Sequence, residues 1–163
     1  MAMVAANLIS DLTSLWTDPP EARDITETGD AIEALWSAAA VSGGVSSATI
    51  YVPGATHAAL TALGSDSTPA DAAQAFENAC TTLVTGTTFT AVEPATISPP
   101  PTPLTASPGT LKAVLQPIFE APAAGTSAAT QAASIGNAIY TFLAGWVVPV
   151  TIPPSAPSPV AIL

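Results

Sequence analysis

The sequence predicts a mainly α fold with short β or extended segments, arranged as a three-fold internal repeat of helix-loop-helix-strand units with Pro-rich arms. Three observations lead there. Apolar residues make up 48% of the 163-residue chain, enough for a real core. Ala-rich stretches carry apolar side chains at i, i+3, i+4 and i+7, one face of a helix, and each runs into a Val/Thr/Ile-rich segment suited to extended backbone. The chain also holds 17 prolines, crowded most densely where neither helix nor central strand is tolerated.

The first unit is expected over 1–54. "NLISDLTSLW" puts Leu8, Leu12, Leu15 and Trp16 on one helical face, and "DAIEALWSAAA" does the same with Ile32, Leu35, Trp36 and Ala39. The second unit, 55–98, offers Leu60 and Leu63 on a first helix and Phe76, Ala79, Cys80 and Leu83 on a second, joined by a shorter loop. In "STPAD", Ser67 and Thr68 stand ready to cap ahead of Pro69, a good first-turn residue. The stretch 99–109 reads as a polyproline-like linker. The third unit, 110–153, superposes on the first without a gap. Leu111, Leu115, Ile118 and Phe119 fall on the first-helix stripe, Pro122 falls on Pro19, and Ile135, Ala138, Ile139 and Phe142 fall on the second. Its long helix is expected over 128–144, with Ser127 and Thr130 as caps and "WVVPVTI" as the strand. Residues 154–163 are expected as an extended Pro-rich C-terminal arm ending in "VAIL", shaped more like a docking peg than a solubilising tail. Two paired helices make an αα-hairpin, and each hairpin needs a neighbour to cover its stripe.

Charge narrows the partners. Only 9% of residues are charged, against about 25% in an ordinary soluble domain. Two basic residues, Arg23 and Lys112, face twelve acids, for a net charge of -10. Nucleic acid and anionic lipid are bound by clustered Lys and Arg, so neither is an expected partner. No charge follows Glu120, and "SIGNAIYTFLAGWVVPVTIPP" has none at all. A membrane span is still not expected, because Asn137, Gly145 and Pro149 interrupt the run and no basic flank orients it. "MAMVAANLISDLTSLW" lacks the basic start of a signal peptide and carries Asp11. A single cysteine, Cys80, allows no internal disulfide.

No residue constellation points to catalysis, metal or cofactor. His57 is the only histidine and is expected at a helix start or facing solvent. Cys80 lies among Phe76, Ala79 and Leu83, which predicts a buried, inert thiol. "DITETGDAIEAL" begins like a calcium loop at Asp24, Thr26, Thr28 and Gly29, but Leu35 stands where the bidentate Glu belongs. Asp24, Glu27, Asp30 and Glu33 read as a solvated acidic face near a helix N-terminus. Asp66 and Asp71 are a carboxylate pair of a kind any acidic chain offers. There is no phosphate-binding Gly-rich loop with Lys and no Gly-x-Ser-x-Gly elbow. The proline-spaced segments lack the flanking basic residues of SH3 or WW ligands.

The expected function is therefore contact. Trp146, Val147, Val148, Val150 and Ile152, with the terminal Ile162 and Leu163, are the candidate interface. Trp146 is either a core residue or an interface anchor, while Trp16 and Trp36 belong to the core. A low-charge chain with an uncharged final quarter exposes apolar surface that association would cover.

"DAIEALWSAAA", "DAAQAFENACTTL" and "AIYTFLAGW", each leading into a Thr/Val-rich segment and then Pro-rich chain, resemble small virion structural proteins of tailed bacteriophages. The resemblance is one of style along most of the chain and carries no diagnostic motif. It implies a non-enzymatic capsid, neck, tail or baseplate subunit in the virion, assembled in the host cytoplasm. It also implies an oligomer whose partners are other virion structural proteins, and it brings no catalytic residues with it. The alternative from composition is a secreted or cell-surface binding module, in which Pro/Thr-rich linkers separate small helical units.

Overall fold

The computed structural model describes residues 3–17, 25–98, 100–104, 107–120, 127–154 and 157–163. Arg23, Asp24, and the Pro19 and Pro122 of the proposed superposition lie outside the described residues.

Among the described residues, six α-helices and six strands follow one another as α1 (Ala5–Thr17), α2 (Ile25–Ser37), β1 (Ser46–Ile50), α3 (His57–Leu60), α4 (Pro69–Thr85), β2 (Thr88–Ala91), β3 (Thr96–Ile97), β4 (Thr102–Pro103), α5 (Thr110–Glu120), α6 (Ala128–Ala144), β5 (Trp146–Thr151) and β6 (Ser158–Ala161), with a 3-10 turn at Ser42–Gly44 ahead of β1. The mainly α character with short strands is as the periodicity predicts. α6 occupies the predicted span because both ends are chemically marked. The Ser127 side chain accepts the Thr130 N–H at its start, and Gly145 closes its end. α4 begins with a capping box. Thr68 Oγ1 accepts the Asp71 N–H, Asp71 accepts the Thr68 N–H at 2.9 Å, and Pro69 follows the cap. The Ser67 hydroxyl serves the preceding turn instead, accepting from Gly64 N–H. α3 is shorter than the Leu60–Leu63 pattern suggests, a single turn that buries Leu60 and stops ahead of Gly64. Pro117 lies inside α5, where it withdraws the N–H owed to the Ala113 carbonyl; both residues face solvent.

The predicted stripes reach one shared core. Leu8 and Leu12 of α1, Ile32, Leu35, Trp36 and Ala39 at and beyond α2, Phe76, Ala79, Cys80 and Leu83 of α4, Leu111 and Leu115 of α5, and Ile135, Ile139 and Phe142 of α6 are all buried. They form one cluster, so the units expected at 1–54, 55–98 and 110–153 pack as one body. Each fully buried Leu or Ile contributes about 1.5–3 kcal/mol by leaving water. The helices form a closed circuit: α1 on α2, α2 on α3, α3 on α4, α4 on α5, α5 on α6, and α6 back on α1. α6 approaches α1 so closely that a Cβ on Gly136 would stand 2.8 Å from Ile9 Cγ1.

The strands lie against these helices in two small antiparallel sheets, one pairing β1 with β2, the other gathered round β5. β3 and β4 pair with the two ends of β5, and β6 pairs along its middle. This corrects two expectations. The proline-rich linker at 99–109 is docked on its own chain: Thr102–Pro103 forms β4, Leu104 N–H bonds the Gly145 carbonyl, and Pro101 is buried. The C-terminal arm at 154–163 is likewise folded in. β6 completes β5, Leu163 and Ala40 exchange backbone hydrogen bonds, and Ile162 is fully buried. The physical reason is strand satisfaction, since the apolar β5 must pair its backbone groups before it can be buried. Ser98 N–H bonds the Pro149 carbonyl, so Pro149 and its partner Pro159 meet at a position where β5 and β6 exchange no hydrogen bond. Neither ring costs that ladder a donor. Pro159 instead turns its missing N–H to the outer edge, which Ala40 and Val41 pair further along, at Ile162 and Leu163.

Candidate functional site

The seven residues expected at an interface divide sharply. Trp146, Val147, Val148, Val150 and Ile162 are buried within the chain itself, and this corrects their placement on the surface; Ile152 and Leu163 are 46% and 48% exposed. Trp146 thereby resolves as a core residue, its ring 5.9 Å from that of Phe142 in an edge-on contact. Its Nε1–H has no hydrogen-bond partner among the described residues. The indole of Trp36, by contrast, donates to Thr87 Oγ1 at 2.7 Å, and that hydroxyl donates on to the Leu83 carbonyl.

The acidic run also differs from expectation. Glu27 and Asp30 are exposed, but Glu33 is buried. Its carboxylate accepts Gly54 N–H at 2.8 Å, Thr56 N–H at 3.0 Å and the Thr56 hydroxyl at 2.8 Å. Asp30 meets His57 Nε2 at 2.7 Å, and His57 opens α3 half-exposed as expected. Glu77 of α4 makes a similar arrangement. It is buried and accepts the N–H of Gly109 and, at 2.9 Å, that of Lys112 at the start of α5. Both carboxylates thus satisfy orphan donors at the start of the next helix. Gly54 and Gly109 supply the positive φ that turns each donor inward (78° and 89°). These are structural ties and hold the hairpins together. The would-be calcium loop is continuous α2 from Ile25 onward. Cys80 is fully buried and its thiol is pushed up to about 12 by desolvation, with Glu77 adding to the effect. No group of three or more potential metal ligands occurs among the described residues. Nor is any helix among them long and apolar enough to cross a membrane.

Uncharged hollows remain on the surface: one of about 410 Å³ between 37–40 and 46–49, lined by Ser, Ala and Thr, and a groove of about 400 Å³ between α5 and α6. Leu111, Val114, Ala138 and Phe142 supply its apolar wall, and Thr110, Ser134, Asn137 and Thr141 its polar rim. None of these lining residues is ionisable. Val114 is half-exposed at the lip. Similar hollows lie between α1 and α2 and between α3 and α4. Glu27, Asp30, Ala31 and Ala34 line the first, and Asp71, Gln74, Ala75 and Asn78 line the second at one constant offset along the chain. The three hollows differ in charge: the first holds Asp11, Glu27 and Asp30, the second Asp71, the third nothing charged. The groove was readable in the sequence, because in the superposition of the first and third units Val114 takes the place of Asp11 and Asn137 that of Ala34. Attention to buried stripes hides such outward positions.

No protein-family model, curated protein or solved structure matches the chain.

Proposed function

We propose that this chain is a non-enzymatic structural subunit of a tailed-bacteriophage virion, in its capsid, neck, tail or baseplate, working through protein–protein contacts. The observation that carries the reading is the charge-free α5–α6 groove on a chain of net charge -10. Exposed Leu104, Val114 and Ile152 add apolar surface in the C-terminal part of the chain, which carries no charge after Glu120. Its apolar wall and hydroxyl or amide rim suit a protein surface, and it offers no proton-transfer group. The resemblance in sequence style supports the particle as the setting.

The three-fold internal repeat belongs to the same reading. It is supported by the recurring order helix, helix, strand, by Glu33 and Glu77 holding the start of the following helix, and by the matched hollows. At the third corresponding position Gly136 replaces the carboxylate, and α6 closes directly on α1. A secreted module of separate helical units fits less well, because all three hairpins share one core.

Quantitative mass spectrometry of purified particles tests the assignment. A fixed copy number that survives high-salt washing is the expected result. Absence of the chain from intact particles would overturn it.

A further inference from the structure

We infer that the α5–α6 groove is the seat of a basic partner protein, taking one large apolar side chain that is flanked by Lys or Arg. This inference rests on the assembly reading above and names the chemistry of the partner at that same surface. Charge complementarity is the first ground for it. Twelve acids against two basic residues give the chain a net charge of -10, so its field draws in cationic partners and repels anionic ones, a second copy included. Within that field the groove is a place where a large apolar side chain can be buried without stripping water from a carboxylate. Leu111, Val114 and Phe142 wall it, with Val114 half-exposed at the lip. The other uncharged hollow, between 37–40 and 46–49, has no apolar lining residue larger than alanine and gives an anchor nothing to pack against.

The rim selects for donors. Ser134 gives its hydroxyl hydrogen to the Thr130 carbonyl at 3.1 Å, and Thr141 gives its own to the Asn137 carbonyl at 2.8 Å. Both oxygens therefore meet a partner only as acceptors. Of the four rim side chains, Asn137 alone brings amide N–H groups. An acceptor-rich rim is matched by ammonium or guanidinium N–H groups. This chain has only Arg23 and Lys112 of that kind, so a second copy is a poor source of them. Strand addition at the β1–β2 sheet would be held by backbone pairing and would not depend on Val114.

Selection of random ribosome-displayed peptides on the full chain tests this. The expected consensus is one large apolar residue with Lys or Arg close on either side. A synthetic consensus peptide should bind at least about ten-fold more tightly than its twin with Glu in place of each Lys and Arg. Val114→Asp separates a seat from simple attraction between opposite charges. It adds an acid, so attraction alone would tighten binding, whereas loss of the apolar lip should weaken it by about ten-fold or more. Thr141→Val keeps the shape and removes an acceptor, and should weaken binding by about two- to ten-fold. Ala48→Asp, in the other uncharged hollow, should not weaken it. Circular dichroism confirms that the variants fold, since the replaced side chains are on the surface. No enriched peptide, a consensus without basic residues, or binding that Val114→Asp leaves unchanged or tightens would overturn the inference. So would a chain that doubles its mass in sedimentation and loses that pairing with Val114→Asp. None of these results changes the copy number in purified particles, which judges the assembly reading separately.

Discussion

Glu33 and Glu77 show how far one side chain can reach. Each is a buried carboxylate that accepts backbone N–H groups from beyond one or more intervening strands. Replacing Glu77 with Ala leaves those part-buried donors without their acceptor, at a cost of about 1 kcal/mol. Glu77→Gln should fall between, because its amide oxygen still accepts one of them. Urea unfolding measures both, and a Glu77→Ala loss within experimental error of zero would contradict the tie. Cys80 gives a second check. Its raised thiol pKa keeps the folded state's thiol protonated between its ordinary 9.0 and about 12. The stability this contributes is fully present below pH 9 and declines as pH climbs toward 12. Iodoacetamide at pH 8 should therefore leave native Cys80 unmodified and label it only on unfolding. The inertness of Cys80 was legible from its apolar neighbours at helical spacing. The burial of Glu33 was not, because Gly54 and Thr56 lie a loop away and a glutamate on an amphipathic helix normally faces water.

Helix ends were the most legible elements, since their chemistry is local. Ser127 and Gly145 bracket α6, and Thr68, Pro69 and Asp71 open α4. Thr68→Ala should cost about 1 kcal/mol by removing that cap. The Thr68 side chain and N–H both hold the exposed Asp71 carboxyl below its ordinary 3.8. A lowered folded-state value means that the stabilisation is present above that pH and is lost as acid protonates the group. Thermal melts at pH 6 and pH 3 should therefore separate wild type from Thr68→Ala more at the higher pH. Equal separation at both would contradict the assignment. The short strands were less legible. β3 and β4 are two residues long and lie in proline-rich chain, and only β5 makes them strands. α3 was overread because the Leu60–Leu63 spacing fits a helix longer than Gly64 permits.

At the scale of the molecule, the stripes of α1, α2, α4, α5 and α6 announced a helical body, while its closure could not be read locally. The contact of α6 with α1 joins the two ends of the chain, and Ile162 enters a core built from every unit. "VAIL" looked like a peg for a neighbour because its apolar character is visible in sequence and its partner, β5, is not. Deleting 158–163 should strip β5 of its β6 partner and remove a fully buried isoleucine, lowering stability by about 2–5 kcal/mol. A truncated chain that melts with the wild type would contradict the folded-in terminus. The account's central claim is that a self-contained core presents the uncharged α5–α6 groove for contact. Hydrogen-exchange mass spectrometry comparing the free and the associated chain tests it most directly. The account predicts added protection confined to 110–120 and 134–144, with the acidic α1–α2 hollow unchanged. Protection centred on α1 and α2, or none anywhere on association, would contradict it.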